Sequence, residues 1–224
     1  MNAPPVERRR GEIDTGKPHG GASLMSHSTA RPLAAELLGS RAGVPGLARS
    51  VLLALVGAAA LYISAKVKVP FWPVPMTMQT FVVLLIGAAY GWRLGVATVL
   101  LYLVQGAMGL PVFTNTPPLV AGPAYFLSPT GGFLIGFIAA AAIVGWAVER
   151  GAARSVFTLA GVMLAAMSVL FALGLAWLGQ AVPALGYSWK LLEAGFLPFV
   201  LGDLVKIALA ACLVVGVDRL LKRS

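Results

Sequence analysis

Between residues 47 and 217 the chain passes through six apolar runs, separated by short segments of charge, proline or glycine. In hydrocarbon no water is present to satisfy a free N–H or C=O, so irregular backbone survives only where protein buries it or a cavity receives it. The runs are therefore expected to be helices: Leu47–Val67, Met76–Tyr90, Leu94–Gly109, Gly131–Val148, Ser155–Gly179 and Ala194–Val217. The second and third are short for a full crossing. Of 224 residues, 58% are hydrophobic and only 11% charged, against about 25% charged in soluble domains. The fold class is an all-α, multi-pass membrane protein.

The net charge of +9 does not indicate a nucleic-acid partner. Seven of the 17 basic residues precede position 50, and most others flank apolar runs, as topology-setting charges do. With a cytoplasmic N-terminus, Arg93, Arg150, Arg154, Arg219, Lys222 and Arg223 fall inside, and only Lys66, Lys68 and Lys190 outside. Both termini are then cytoplasmic. Trp92 and Trp146 fall at the inner interface, and Trp72, Trp177 and Trp189 at the outer one.

Residues 1–44 show no periodicity and read as a mobile cytoplasmic tail, leaving 45–224 as the transmembrane domain. The tail lacks the apolar core of a signal peptide, and Met25 would serve equally well as a start. Gly11 to Lys17 approaches a phosphate-binding loop, but Pro18 stands where Ser or Thr is required and no strand precedes it. The single cysteine, Cys212, reads as a small buried residue of the last run. His19 and His27 both lie in the tail, so neither is available in the membrane for metal ligation or proton relay.

Two outer loops carry most of the information. The first, 69–79, holds Pro70, Pro73 and Pro75 and reads as a stiff, extended cap. The second, 110–132, is long, apolar and rich in proline and glycine, and is expected to fold back over the bundle.

Asp203 and Lys206 interrupt the last run. A charge at the bilayer centre costs about 2.5–3.5 kcal/mol on insertion scales, so the pair needs a polar, protein-lined setting. At i and i+3 the two side chains share a helix face, in the outer half of the bilayer. Gln79, Gln105, Asn115 and Tyr125 are expected near the same end, which makes all six candidate substrate-binding residues. The pair is open to a plain reading as mutually neutralising structural glue. It is also open to a functional one, in which Lys206 attracts an anionic group and Asp203 orients it, and which alone accounts for the polar residues gathered at that end. Proton coupling through Asp203 would need further ionisable groups along a path, and the inner half supplies none. Ala54 and Ala58, four apart on the first run, form a small-residue face suited to close helix packing, inside the bundle or with a partner. No ATP-hydrolysing motif or acidic metal cluster accompanies these features, so no catalytic or metal site is assigned.

The stretches Pro73-Val-Pro-Met-Thr-Met-Gln-Thr-Phe81, Gly109-Leu-Pro-Val-Phe113, Pro129-Thr-Gly-Gly-Phe-Leu-Ile-Gly-Phe137 and Gly202-Asp-Leu-Val-Lys206 resemble the BioY family. Its members are the biotin-specific substrate-capture (S) components of energy-coupling-factor transporters. The resemblance covers essentially all of 45–224, with Pro117, Pro118 and Pro123 standing where a more glycine-rich loop is usual. It implies a six-helix S-component bundle in the plasma (inner) membrane, with biotin held near the extracellular face by Asp203, Lys206 and Asn115. It also implies a coupling subunit that meets small residues on the first helix, at Ala54 and Ala58, and two ATPase subunits. The resemblance implies biotin as the substrate and implies no cofactor. Two other readings stay open: an ion-gradient-driven transporter of a small organic anion, and a membrane enzyme using the Asp/Lys pair as acid and base.

Overall fold

The computed structural model describes residues 46–222 except 71 and 120. The tail 1–44, with the phosphate-loop-like segment, both histidines and Met25, lies outside the described residues, as does Arg223. In chain order the elements are α1 (Gly46–Lys66), β1 (Lys68–Val69), β2 (Met76–Thr77), α2 (Gln79–Ala107), a 3-10 turn (Pro123–Leu127), α3 (Gly131–Glu149), a second 3-10 turn (Ala152–Arg154), α4 (Val156–Ala181), a short α5 (Trp189–Gly195) and α6 (Leu197–Leu221). β1 and β2 form a small antiparallel ribbon pairing Lys68 with Thr77 and Val69 with Met76.

Five helices, α1, α2, α3, α4 and α6, are long and apolar enough to cross a membrane. The second and third expected runs are joined in the single element α2. Gly91 breaks that element with φ 75° and ψ 175°, a conformation that glycine adopts without steric cost. The Gln79 and Tyr102 side chains, 23 residues apart, are 2.8 Å from each other, although a straight helix would separate the two residues by roughly 35 Å. A Cβ on Gly95 would lie 3.4 Å from the Cα of Gly87. The chain therefore reverses at Gly91, and residues 79–90 and 92–107 lie antiparallel. Helix α3 presses on this turn. A Cβ on Gly145 would stand 2.4 Å from the Trp92 nitrogen, so only glycine fits. Glu149 Oε1 accepts from the Trp92 N–H at 3.1 Å, closing the same end.

The last expected run is divided. Phe196, with φ −133° and ψ −59°, separates α5 from α6. Pro198 explains the break, because proline has no N–H to give and is accepted in a helix's first turn but not its interior. Helix α6 turns its apolar residues Leu201, Val205, Leu209 and Leu213 outward and buries Asp203 and Lys206. That is the reverse of a water-soluble helix, and it suits lipid outside and a polar site within.

One expectation needs correction, and one left open takes a definite form within the chain. Cys212 is exposed rather than buried, on α6 beside outward-facing Leu209 and Leu213. Ala54 and Ala58 are only 9% and 0% exposed, and α1 packs on α2. The neighbouring Gly57 is so close to α2 that a Cβ there would meet Thr98 Cγ2 at 2.5 Å. These small residues let α1 and α2 of the same chain approach closely.

Candidate functional site

The Lys66 end of α1, the Gln79 start of α2, the Gly131 start of α3 and the Leu197 start of α6 gather at one end of the bundle. The ends bearing Arg93, Arg150 and Arg219 lie at the other. Two loops close the first end. Val74 and Pro75 come from the segment joining β1 to β2, and Thr114 and Tyr125 from the segment 108–130. The second segment does fold back. Phe113 is fully buried, stacked on Tyr125 with ring centroids 4.5 Å apart and edge-on to Tyr102 at 5.5 Å and Phe126 at 5.6 Å. Gly106 makes room for it, since a Cβ there would stand 2.0 Å from Phe113 Cζ.

Beneath the loops lies a cavity of about 50 Å³. One wall is polar: Thr77, Gln79, Thr80, Thr114, Asp203 and Lys206. The apolar lining includes Phe133, Phe137, Phe171 and Phe199 with Leu134 and Leu170, the Phe133 and Phe171 rings meeting edge to face at 5.9 Å. A flat molecule with apolar faces and polar edges suits such a slot.

The charged pair is fully engaged on its protein side. Lys206 Nζ donates to Asp203 Oδ1 at 2.8 Å, Thr77 O at 2.7 Å and Thr80 Oγ1 at 3.1 Å. An ammonium has three hydrogens, and these acceptors use all of them. Thr80 passes its own hydroxyl hydrogen to Asp203 Oδ1 at 2.9 Å. That carboxylate oxygen receives two hydrogen bonds, while Oδ2 has no hydrogen-bond partner among the described residues. An ionised carboxylate only accepts, so Asp203 offers the cavity an acceptor for N–H groups. Lys206 contributes its charge, and its donors already hold the loop and Asp203 in place.

A second polar chain fixes the roof. Thr114 Oγ1 donates to Gln79 Oε1 at 2.9 Å, Gln79 Nε2 donates to Tyr102 OH at 2.8 Å, and Tyr102 OH donates to Val112 O at 3.1 Å. Unmade hydrogen bonds are costly in a buried site, and every fully buried side-chain N or O among the described residues has a partner.

Of the residues singled out from sequence, Asp203, Lys206, Gln79 and Tyr125 are brought together around the cavity. Asn115 lies just outside it, where its Oδ1 accepts from Lys68 Nζ at 3.0 Å and its N–H donates to Tyr125 OH at 3.4 Å. Gln105 is half-buried and away from the cavity, and among the described residues its side chain forms no hydrogen bond. Thr77, Thr80, Tyr102 and Thr114 were not legible as site residues, because single Thr or Tyr residues in apolar segments carry no pattern of their own. The one available signal was that Thr77 and Thr80 flank Gln79.

The site can be compared with known proteins. A profile of the BioY family matches residues 27–223. The chain is 34% identical over 172 residues to "Biotin transporter BioY" of Thermotoga maritima, covering 77% of this chain and 97% of that one. It is 36% identical over 163 residues to "Probable biotin transporter BioY" of Pyrococcus horikoshii, covering 73% and 92%. Against "Biotin transporter BioY" of Rhodobacter capsulatus the identity is 37% over 166 residues, covering 68% and 85%. In structure it resembles the S-component for biotin from an ECF-type ABC transporter, with a TM-score of 0.68 at 22% identity, over 79% of this chain and 95% of that one. At that identity the likeness speaks for the fold. Matched along most of its length by the family profile and by relatives of near-complete coverage, the chain belongs to the BioY family.

Proposed function

We propose that this chain captures biotin at the outer face of the plasma (inner) membrane as the S component of an energy-coupling-factor transporter. It would bind rather than transform its substrate and hand it inward with a transmembrane coupling subunit and two ATPase subunits. Residues 45–224 form the substrate-binding domain, with both arms of α2 crossing the membrane, giving six crossings and both termini in the cytoplasm. The reversal at Gly91 supports the count, and Arg93, Arg150, Arg154 and Arg219 at one end support the orientation. The cavity then opens outward.

The observation that carries the reading is the buried Asp203–Lys206 pair, 2.8 Å apart, lining a cavity that phenylalanine side chains also line. Biotin's ureido ring has two N–H donors and one carbonyl. Asp203 Oδ2 receives an N–H, the Phe133, Phe171 and Phe199 side covers the bicycle, and Gln79 and Tyr125 complete the polar rim. The carboxylate end lies toward the loops, on the side of Asn115. Ligand pockets generally span about 300–1,000 Å³, so the 50 Å³ cavity must widen on binding. The loops bearing Val74, Pro75, Thr114 and Tyr125 are the parts that move.

The test is calorimetric titration of the purified chain in nanodiscs. Biotin should bind with sub-micromolar affinity, and Lys206→Ala should abolish that binding. Tight binding that survives Lys206→Ala would remove the assigned site. Absence of binding by the unaltered chain would remove the function.

A further inference from the structure

Beside the cavity, and larger than it, is a second cleft of about 300 Å³. Tyr62 and Lys66 of α1, Lys68 of β1 and Thr114 and Thr116 of the second loop line it. Thr114 lines both spaces, so the cleft adjoins the site described above.

Among the described residues the cleft is cationic without a counter-charge. Lys66 Nζ is held by three backbone carbonyls, those of Pro111 at 2.8 Å, Phe113 at 2.8 Å and Thr116 at 2.6 Å. Carbonyls position an ammonium but leave its charge in place. Lys68 Nζ donates to Thr114 O at 3.1 Å and Asn115 Oδ1 at 3.0 Å, which leaves one hydrogen uncommitted among the described residues. Tyr62 has no hydroxyl hydrogen bond there either. The acidic residues among those described are Glu149, Glu193, Asp203 and Asp218; none lines the cleft, and Asp203 is paired with Lys206. Two positive charges next to the loop that roofs the binding cavity form a local field that raises the concentration of an anion at the entrance.

We propose that this cleft is an electropositive antechamber, in which Lys68 and Lys66 receive the carboxylate of the substrate before its ring system passes Thr114 into the cavity. The inference rests on the biotin reading and adds a kinetic role. The inner pair governs how long the ligand stays, and the outer lysines govern how fast it arrives. An oxyanion at this cleft has two sources, a free carboxylate or a lipid headgroup phosphate, and the proposal commits to the first.

The experiment is stopped-flow association and dissociation of biotin and of its uncharged methyl ester, with the full chain in nanodiscs of zwitterionic lipid at several ionic strengths. Lys68→Gln should slow biotin association about three- to tenfold at low salt. It should flatten the salt dependence and leave dissociation unchanged. Lys68→Arg should restore the rate, and the methyl ester should be indifferent to all three forms. Equal slowing of biotin and its ester would make Lys68 a loop-positioning residue and overturn the proposal. So would an unchanged association rate, or a change confined to dissociation. A wild-type rate that drops when anionic lipid is added, with the drop absent in Lys68→Gln, would assign the cleft to lipid phosphate instead. If the unaltered chain binds no biotin, the preceding reading fails and the antechamber with it. If it binds biotin but Lys68 has no kinetic effect, only the antechamber fails.

Discussion

Replacing the inner charged pair one residue at a time and then together separates glue from site. In Lys206→Ala, Asp203 Oδ1 keeps only the Thr80 hydroxyl at 2.9 Å, and Thr77 O loses its 2.7 Å donor. The two side chains are 7% and 8% exposed, so little water reaches the stranded carboxylate. Breaking a pair buried to this degree costs about 3–5 kcal/mol. Replacing both members by apolar residues of similar size is often neutral or favourable, so Asp203→Leu with Lys206→Met should recover most of that loss. Binding should not recover. Removing the acceptor at Asp203 forfeits a charged hydrogen bond of about 1.5–3 kcal/mol, which raises the dissociation constant about 10- to 150-fold, before any effect of the missing cation. The assay is chemical denaturation without ligand, paired with biotin titration of the same samples. A double variant that regains stability and still binds biotin within threefold of the original would refute the assignment of the pair to the site. The single variant Asp203→Asn should bind better than Lys206→Ala, because an amide still offers an acceptor; equal losses in titration would contradict that order.

Three further outcomes follow from the geometry. Thr80→Val preserves shape but deletes the hydroxyl bridging Lys206 and Asp203, and should weaken biotin binding about fivefold to tenfold, on the scale of one buried hydrogen bond; titration within experimental error of the original would dismiss the bridge. Gly106→Ala drives a methyl into the Phe113 ring and should displace the ring together with the stacked Tyr125, lowering stability by about 1–3 kcal/mol and impairing binding; an unchanged denaturation midpoint would show that the roof does not depend on this contact. Cys212, exposed on the apolar side of α6, should react with a lipid-soluble maleimide and resist a charged one in intact membranes, and efficient labelling by the charged reagent would argue that this face meets water.

Much of this architecture is written locally. A run such as Gly131 to Glu149 has so little polarity that lipid and the helical hydrogen-bond ladder leave it one solution, and the structure has a helix there. Gly91 lies between two apolar runs beside Trp92 and Arg93, so a short turn was legible from composition alone. Asp203 and Lys206 announced themselves because a charge in an apolar run demands an explanation. Pro198 carries a legible break as well, yet the apolar run continues through it, since hydropathy averages over a residue whose effect is on hydrogen bonding.

What the sequence by itself determined is the membrane-spanning, helical character of the chain, the reversal at Gly91, and the buried Asp203–Lys206 pair. These follow from solvation, which acts residue by residue. Tertiary structure alone decided that Thr77, Thr80 and Thr114 share the polar wall, that Asn115 and Gln105 stand off it, and that Ala54 and Ala58 look inward. It alone placed Lys66 and Lys68 around a separate cleft. Those outcomes depend on how helices far apart in the chain rotate against each other, as in the Thr80–Asp203 hydrogen bond across 123 residues. The rotation is set by close contacts such as Gly57 on Thr98 and Gly145 on Trp92, and no local pattern of hydrophobicity records it.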